Sequence, residues 1–113
     1  MANPQAENGH TRIAHEVLEH LMLSGLNGTQ WALVMVVLRE TWGWKGRKSF
    51  HIPVSRFQIL TGLSDRNIRR ELAFLVSRNV LVKDSIPMVP IWSLKKDWEQ
   101  WKPLTDSPPP DIL

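Results

Sequence analysis

Apolar positions along the chain recur at two periods and mark out helices and short strands. Ile13, Val17, Leu18, Leu21 and Met22 share helical spacing and predict a first helix that starts near Thr11 or Arg12 and ends at Ser24 and Gly25. Asn27 and Gln30 form a capping-box pair just before Trp31, so a second helix opens there. Residues 31–38 are apolar on nearly every side, which suits a helix packed on more than one face, and Gly43 is its expected stop. A basic polar loop at 44–48 and a short extended piece at 50–53 follow. Pro53 cannot donate to a ladder, so that strand is brief or lies at an edge.

Ser55 and Gln58 repeat the capping spacing and predict a short helix over 56–61, with Phe57, Leu60 and Ile59 turned inward. Gly62 and Leu63 form a turn. Ser64 caps a longer helix running to about Arg78, on which Ile68, Leu72, Leu75 and Val76 make one stripe. Asn79 tolerates left-handed geometry and is the expected exit. Residues 80–82 and 91–93 read as two strands, and Pro87 and Pro90 oppose pairing in the loop between them. A short helix over 95–101 carries Trp98 and Trp101 as a clamp. Residues 1–10 read as a flexible arm, 11–102 as one domain, and 103–113 as a Pro-rich tail or truncated linker. A short helix, a Gly turn and a longer helix, preceded by two helices and followed by a hairpin, give the expected class. It is α+β, mainly helical: a winged helix-turn-helix with a short C-terminal helix.

Composition narrows the chemistry. The 113 residues include six Trp and no Cys, which excludes a disulfide scaffold, a thiol nucleophile and a Cys-rich zinc module. His10, His15, His20 and His51 show no ligand spacing, and no phosphate-binding loop, nucleophile elbow or acidic cluster is present. A binding module is favoured over an enzyme, and no cofactor or metal is expected. The longest apolar run is too short to span a membrane, and the N-terminus has no signal pattern, so the expectation is a cytoplasmic protein without a membrane partner.

The formal charge of +3 hides an asymmetry: residues 39–70 hold eight basic side chains against two acidic ones. Such a segment can form an electrostatic footprint for nucleic acid. With Ile68 inward, Arg66 and Arg70 point outward, Asn67 and Arg69 flank them, and Ala73 lies farther along the same face. Arg reads guanine edges and Asn reads adenine edges through paired hydrogen bonds. Ser64 and the first-turn amides can hold a phosphate. The candidate recognition set is therefore Ser64, Arg66, Asn67, Arg69, Arg70 and Ala73, and local salt bridging explains little of the Arg face. Arg47, Lys48, Ser55, Arg56, Lys83, Lys95 and Lys96 are candidates for the DNA backbone. For Arg47 and Lys48 a plain solvated loop is equally compatible. The wing offers only Lys83 beside the apolar Ile86, Pro87, Met88 and Val89, a tip as suited to packing on protein as to facing phosphate. The Trp residues read as core or clamp, with Trp42 and Trp44 the least determined, and a stacking role stays open for Trp44.

Several stretches carry a family pattern: Asn3-Pro4-Gln5, residues 7–14 and 16–19, Trp31-Ala32-Leu33-Val34, residues 39–44 ending in Trp42-Gly43-Trp44, residues 60–70, and Leu94-Lys95-Lys96-Asp97-Trp98. Together these span about residues 3–101 and resemble the phage replication protein O family of lambda-type initiators. The resemblance implies an N-terminal winged-helix domain that binds double-stranded origin repeats, usually as a homodimer. It also implies a helicase loader or helicase as partner of a separate C-terminal region that these residues do not contain. The chain is then either the DNA-binding piece of a longer initiator or a compact relative that keeps only that piece. The apolar wing departs from what phosphate contact needs. Two other uses of the same fold remain: a transcriptional regulator, and a protein-interaction winged helix without DNA binding.

Overall fold

A computed structural model describes residues 1–86 and 89–104, with only the backbone described at Ser85 and Ile86. The chain runs α1 (His15–Leu23), α2 (Gly28–Glu40), β1 (Phe50–His51), α3 (Val54–Thr61), α4 (Asp65–Ser77), β2 (Leu81–Ile86) and β3 (Val89–Leu94), and the three strands form one small sheet. The sheet is antiparallel in the order β1-β3-β2, with Phe50 opposite Trp92 and Leu81 opposite Leu94. This is the expected mainly helical α+β architecture, a helix-turn-helix followed by a hairpin.

The strongest local signals act as read. Asn27 Oδ1 accepts from the Gln30 N–H at 2.8 Å and Gln30 Oε1 accepts from the Asn27 N–H at 3.0 Å, a complete capping box. Leu33, Val34, Val37 and Leu38 of α2 are fully buried, so this helix is the centre of the domain. Thr41, not Gly43, closes it. Gly43 is needed for a different reason: a Cβ there would overlap the Arg39 carbonyl oxygen and crowd the Thr11 hydroxyl. Asn79 adopts φ 62°, the left-handed exit that its side chain allows.

Other elements depart from the sequence reading. The first helix starts at His15, later than Thr11 or Arg12. A 3₁₀ turn at Ala6–Asn8 and an extended stretch precede it, and Ile13 packs on the core from outside the helix. α3 begins at Val54 with Pro53 as N-cap, and Ser55 makes no capping bond. Phe57 is fully buried and sets the inward direction of the helix. Ile59 lies two positions, about 200°, further round, and is 74% exposed, while Leu60 sits at the rim at 38%. The hairpin strands are longer than expected, and Pro90 lies inside β3 rather than in a loop. It sits just past the β1 ladder, where β3 is paired on one side only and a missing N–H is tolerated. Pro87 and Met88 at the tip lie outside the described residues. The expected helix over 95–101 is a 3₁₀ turn at Trp98–Gln100. Its Trp residues do act as clamps. Trp98 stacks on His20 at 3.5 Å between centroids and donates to Glu16, and Trp101 donates to the Lys95 carbonyl. Most of the Pro-rich tail falls outside the described residues, and Leu104 at its start still packs on the core.

Two contacts fix α3, one to the sheet and one to α2. Phe57 meets Trp92 edge-on at 6.1 Å, joining α3 to β3. Glu40, at the end of α2 and 6% exposed, accepts from Arg39 at 2.9 Å and from Arg56 of α3 at 3.0 and 3.1 Å.

Candidate nucleic-acid interface

The turn between α3 and α4 is short because each residue in it has a fixed task. Gly62, at φ 72°, ends α3 and its N–H donates to the Gln58 carbonyl at 2.8 Å. The Thr61 hydroxyl donates back to Phe57 and accepts from the Leu63 N–H. Ser64 Oγ then accepts from the Asn67 N–H at 3.2 Å and starts α4. Ile68, Leu72 and Leu75 bury the inner face of α4, which leaves its opposite face to solvent.

That outer face carries Arg66, Arg69, Arg70 and Ala73, all exposed, with Asn67 half-buried beside them. Arg66 has no hydrogen-bond or ion-pair partner among the described residues. Arg69 forms an i,i+4 pair with Asp65, Nε to Oδ1 at 2.5 Å. This hydrogen bond, reinforced by the carboxylate charge, pushes the Arg69 pKa further above its already high value, so the guanidinium stays charged throughout the working pH range. Arg70 donates to Asn67 Oδ1 at 2.8 Å and to Glu71 Oε2 at 3.1 Å. Local ion pairing therefore engages two of the three arginines, contrary to the reading that it explains little of this face. Such exposed pairs are weak in water and orient the guanidinium groups more than they stabilise the helix.

Sequence reasoning missed the residues behind this face. Glu71 also accepts from Gln30 Nε2 at 3.1 Å. The capping box of α2 is thereby tied through Glu71 and Arg70 to Asn67 on α4. Gln30 was legible only as a cap. Its second bond spans 41 positions and leaves no local signal.

A groove of about 380 Å³ runs between α4 and the hairpin. Arg69 and Ala73 stand on one wall and Lys83 on the other, over an apolar floor that includes Leu72 and Trp92. The Lys83 ammonium lies 5.6 Å from the Trp92 ring centroid. Of the recognition set, Arg69 and Ala73 thus border this groove together with Lys83. Ser55 is exposed at the start of α3, and Arg56 beside it turns to Glu40. Arg47 is held elsewhere, 3.6 Å from the Phe50 ring and 4.8 Å from the Trp44 ring, with a bond to the Glu40 carbonyl. Lys48 and Lys96 line a hollow with Arg12 to which α3 and α4 contribute nothing. Lys95 is half-buried where its N–H donates to Val80. Among the described residues no group of His, Asp or Glu is arranged to hold a metal ion, and no helix is long and apolar enough to cross a membrane.

The profile of the family described as bacteriophage replication protein O matches residues 3–101, which take in every element of the fold. The chain belongs to the bacteriophage replication protein O family. Two curated relatives carry the same region. Replication protein 15 of Enterobacteria phage phi80 is 28% identical over 94 residues, 83% of this chain and 31% of that protein. DNA replication protein gp18 of Salmonella phage P22 is 31% identical over 98 residues, 87% of this chain and 34% of that protein. The chain spans about a third of the length of these relatives. No solved structure matches it.

Proposed function

We propose that this replication protein O domain recognises a specific duplex sequence at a phage replication origin by laying the first turns of α4 in the major groove. The observation that carries the reading is the outer face of α4. Arg66 is uncommitted there, and Arg69, Asn67 and Arg70 are pre-oriented by local bonds on a helix whose opposite face is buried. Arg and Asn are the side chains suited to paired hydrogen bonds on guanine and adenine edges. Ala73 allows close approach, and Lys83 supplies a phosphate contact from the hairpin. Repeated origin sites would be occupied by two copies of the domain. Contact with a helicase or its loader would fall to sequence of the kind the relatives have beyond this region.

The test is selection from a random duplex pool, followed by titration of the selected site and a scrambled duplex. Replacing Arg66, Arg69 and Arg70 singly by Ala separates their roles. Loss of a base reader weakens the selected site by about 1–3 kcal/mol and relaxes preference at one position. Loss of a phosphate contact weakens both duplexes alike. Unchanged affinity and preference in all three variants would refute the reading. Enrichment of promoter sequence rather than origin repeats among genomic fragments would move the role to transcription.

A further inference from the structure

A second surface, built without α3 or α4, has the composition of a nucleic-acid site of another kind. Three adjoining hollows follow the loop after α2, the N-terminal arm and the base of the hairpin. The largest is about 710 Å³. Six basic side chains line them, Arg12, Arg39, Lys45, Arg47, Lys48 and Lys96, against two acidic ones, Glu7 and Asp84. Between two of the hollows stands Trp44, half of its surface in solvent.

The exposed indole stands in a basic concavity, and its position is fixed by its neighbours. The Arg47 guanidinium lies over the rings of both Trp44 and Phe50 and donates to the Glu40 carbonyl. Gly43, next to Trp44, fits only because it lacks a side chain. The indole is thus held out from the domain before any ligand arrives, which lowers the cost of binding.

We propose that this surface binds unpaired DNA, with phosphates on Arg12, Lys45, Lys48 and Lys96 and a base stacked on Trp44. A base can reach an exposed aromatic ring only when it is free of its partner strand. The combination of a stacking ring with a basic groove therefore selects single strands and tolerates many sequences. The site does not depend on α4 reading duplex DNA.

The experiment titrates the full chain at low salt into a labelled oligothymidylate of about 12 nucleotides and, separately, into duplex DNA. Trp44→Ala should weaken oligothymidylate binding about fivefold or more, and Trp44→Phe should recover most of it. Lys45→Ala should weaken it with a shallower salt dependence. Both Trp44 variants should bind duplex as the parent does, and Arg66→Ala should keep the oligothymidylate affinity. The proposal is overturned if the parent does not bind oligothymidylate, if Trp44→Ala and Trp44→Phe bind it as the parent does, or if Arg66→Ala abolishes it. If Arg66→Ala, Arg69→Ala and Arg70→Ala all leave duplex affinity and preference intact while Trp44→Ala still weakens the single strand, the reading of α4 fails and this one stands.

Discussion

Replacing Glu40 by Gln should loosen the helix pair that presents α4. The Glu40 side chain is only 8% exposed and accepts from two arginines, Arg39 and Arg56. Removing one partner of a fully buried pair costs about 3–5 kcal/mol, because the other charge is stranded. That figure is too large here, since the Arg56 and Arg39 side chains are 36% and 53% exposed and can rehydrate. What is lost is the charge assistance of the hydrogen bonds, set against the relief of a buried carboxylate. The net is about 1–2 kcal/mol, near the lower range for hydrogen bonds to charged groups. For a domain of this size it lowers Tm by roughly 4–10 °C. Calorimetry or urea titration of Glu40→Gln, Arg56→Ala and the double variant closes a thermodynamic cycle. The coupling should be about 1 kcal/mol, arising because both side chains act in one network. A coupling below about 0.3 kcal/mol, within the scatter of independent sites, would show that Arg56 does not hold α3 to α2. Duplex affinity in Glu40→Gln should fall less than in Arg66→Ala, since Glu40 acts on position and not on contact.

Three further outcomes follow from the geometry. Phe57→Ala empties a fully buried site against the Trp92 edge and should cost about 3–5 kcal/mol in urea unfolding. Gly43→Ala forces a methyl group into the Arg39 carbonyl and should destabilise by about 1–3 kcal/mol, whereas Gly28→Ala, with open space at its Cβ, should be neutral or stabilising. Glu71→Gln removes the acceptor charge for Arg70 while the link to Gln30 can persist. Stability should change by less than about 1 kcal/mol, while duplex affinity should rise as the charge competing for Arg70 is removed and its bond to Asn67 stays. If the duplex affinity of Glu71→Gln equals that of the parent, Arg70 takes no part in binding.

The chain's local code carries the secondary structure wherever a short-range partner enforces it. The Asn27–Gln30 box, the Gly62 turn, the Ser64 cap and the Ile68, Leu72, Leu75 stripe are each satisfied within a few residues. Each was legible because its physics is local. The outward placement of Arg66, Arg69 and Arg70 follows from the same stripe, so the candidate face was readable in advance. The start of α3 was not. Its one capping-like signal, Ser55 with Gln58, forms no cap, and with Phe57 packed on Trp92 the helical turn carries Ile59 to the exposed side.

Tertiary structure alone decided which charges are spoken for. Eight basic side chains in residues 39–70 suggested one footprint. The fold draws Arg39 and Arg56 to a buried Glu40, stacks Arg47 on two aromatic rings, and sends Lys48 to a hollow away from α4. Hydrophobic period and capping are properties of neighbours along the chain, so sequence determined the elements and the face they present. Ion pairing and exposure depend on partners brought close only by folding. The division of the basic segment into a fastening, a duplex-facing helix and a second basic surface belongs to the three-dimensional structure.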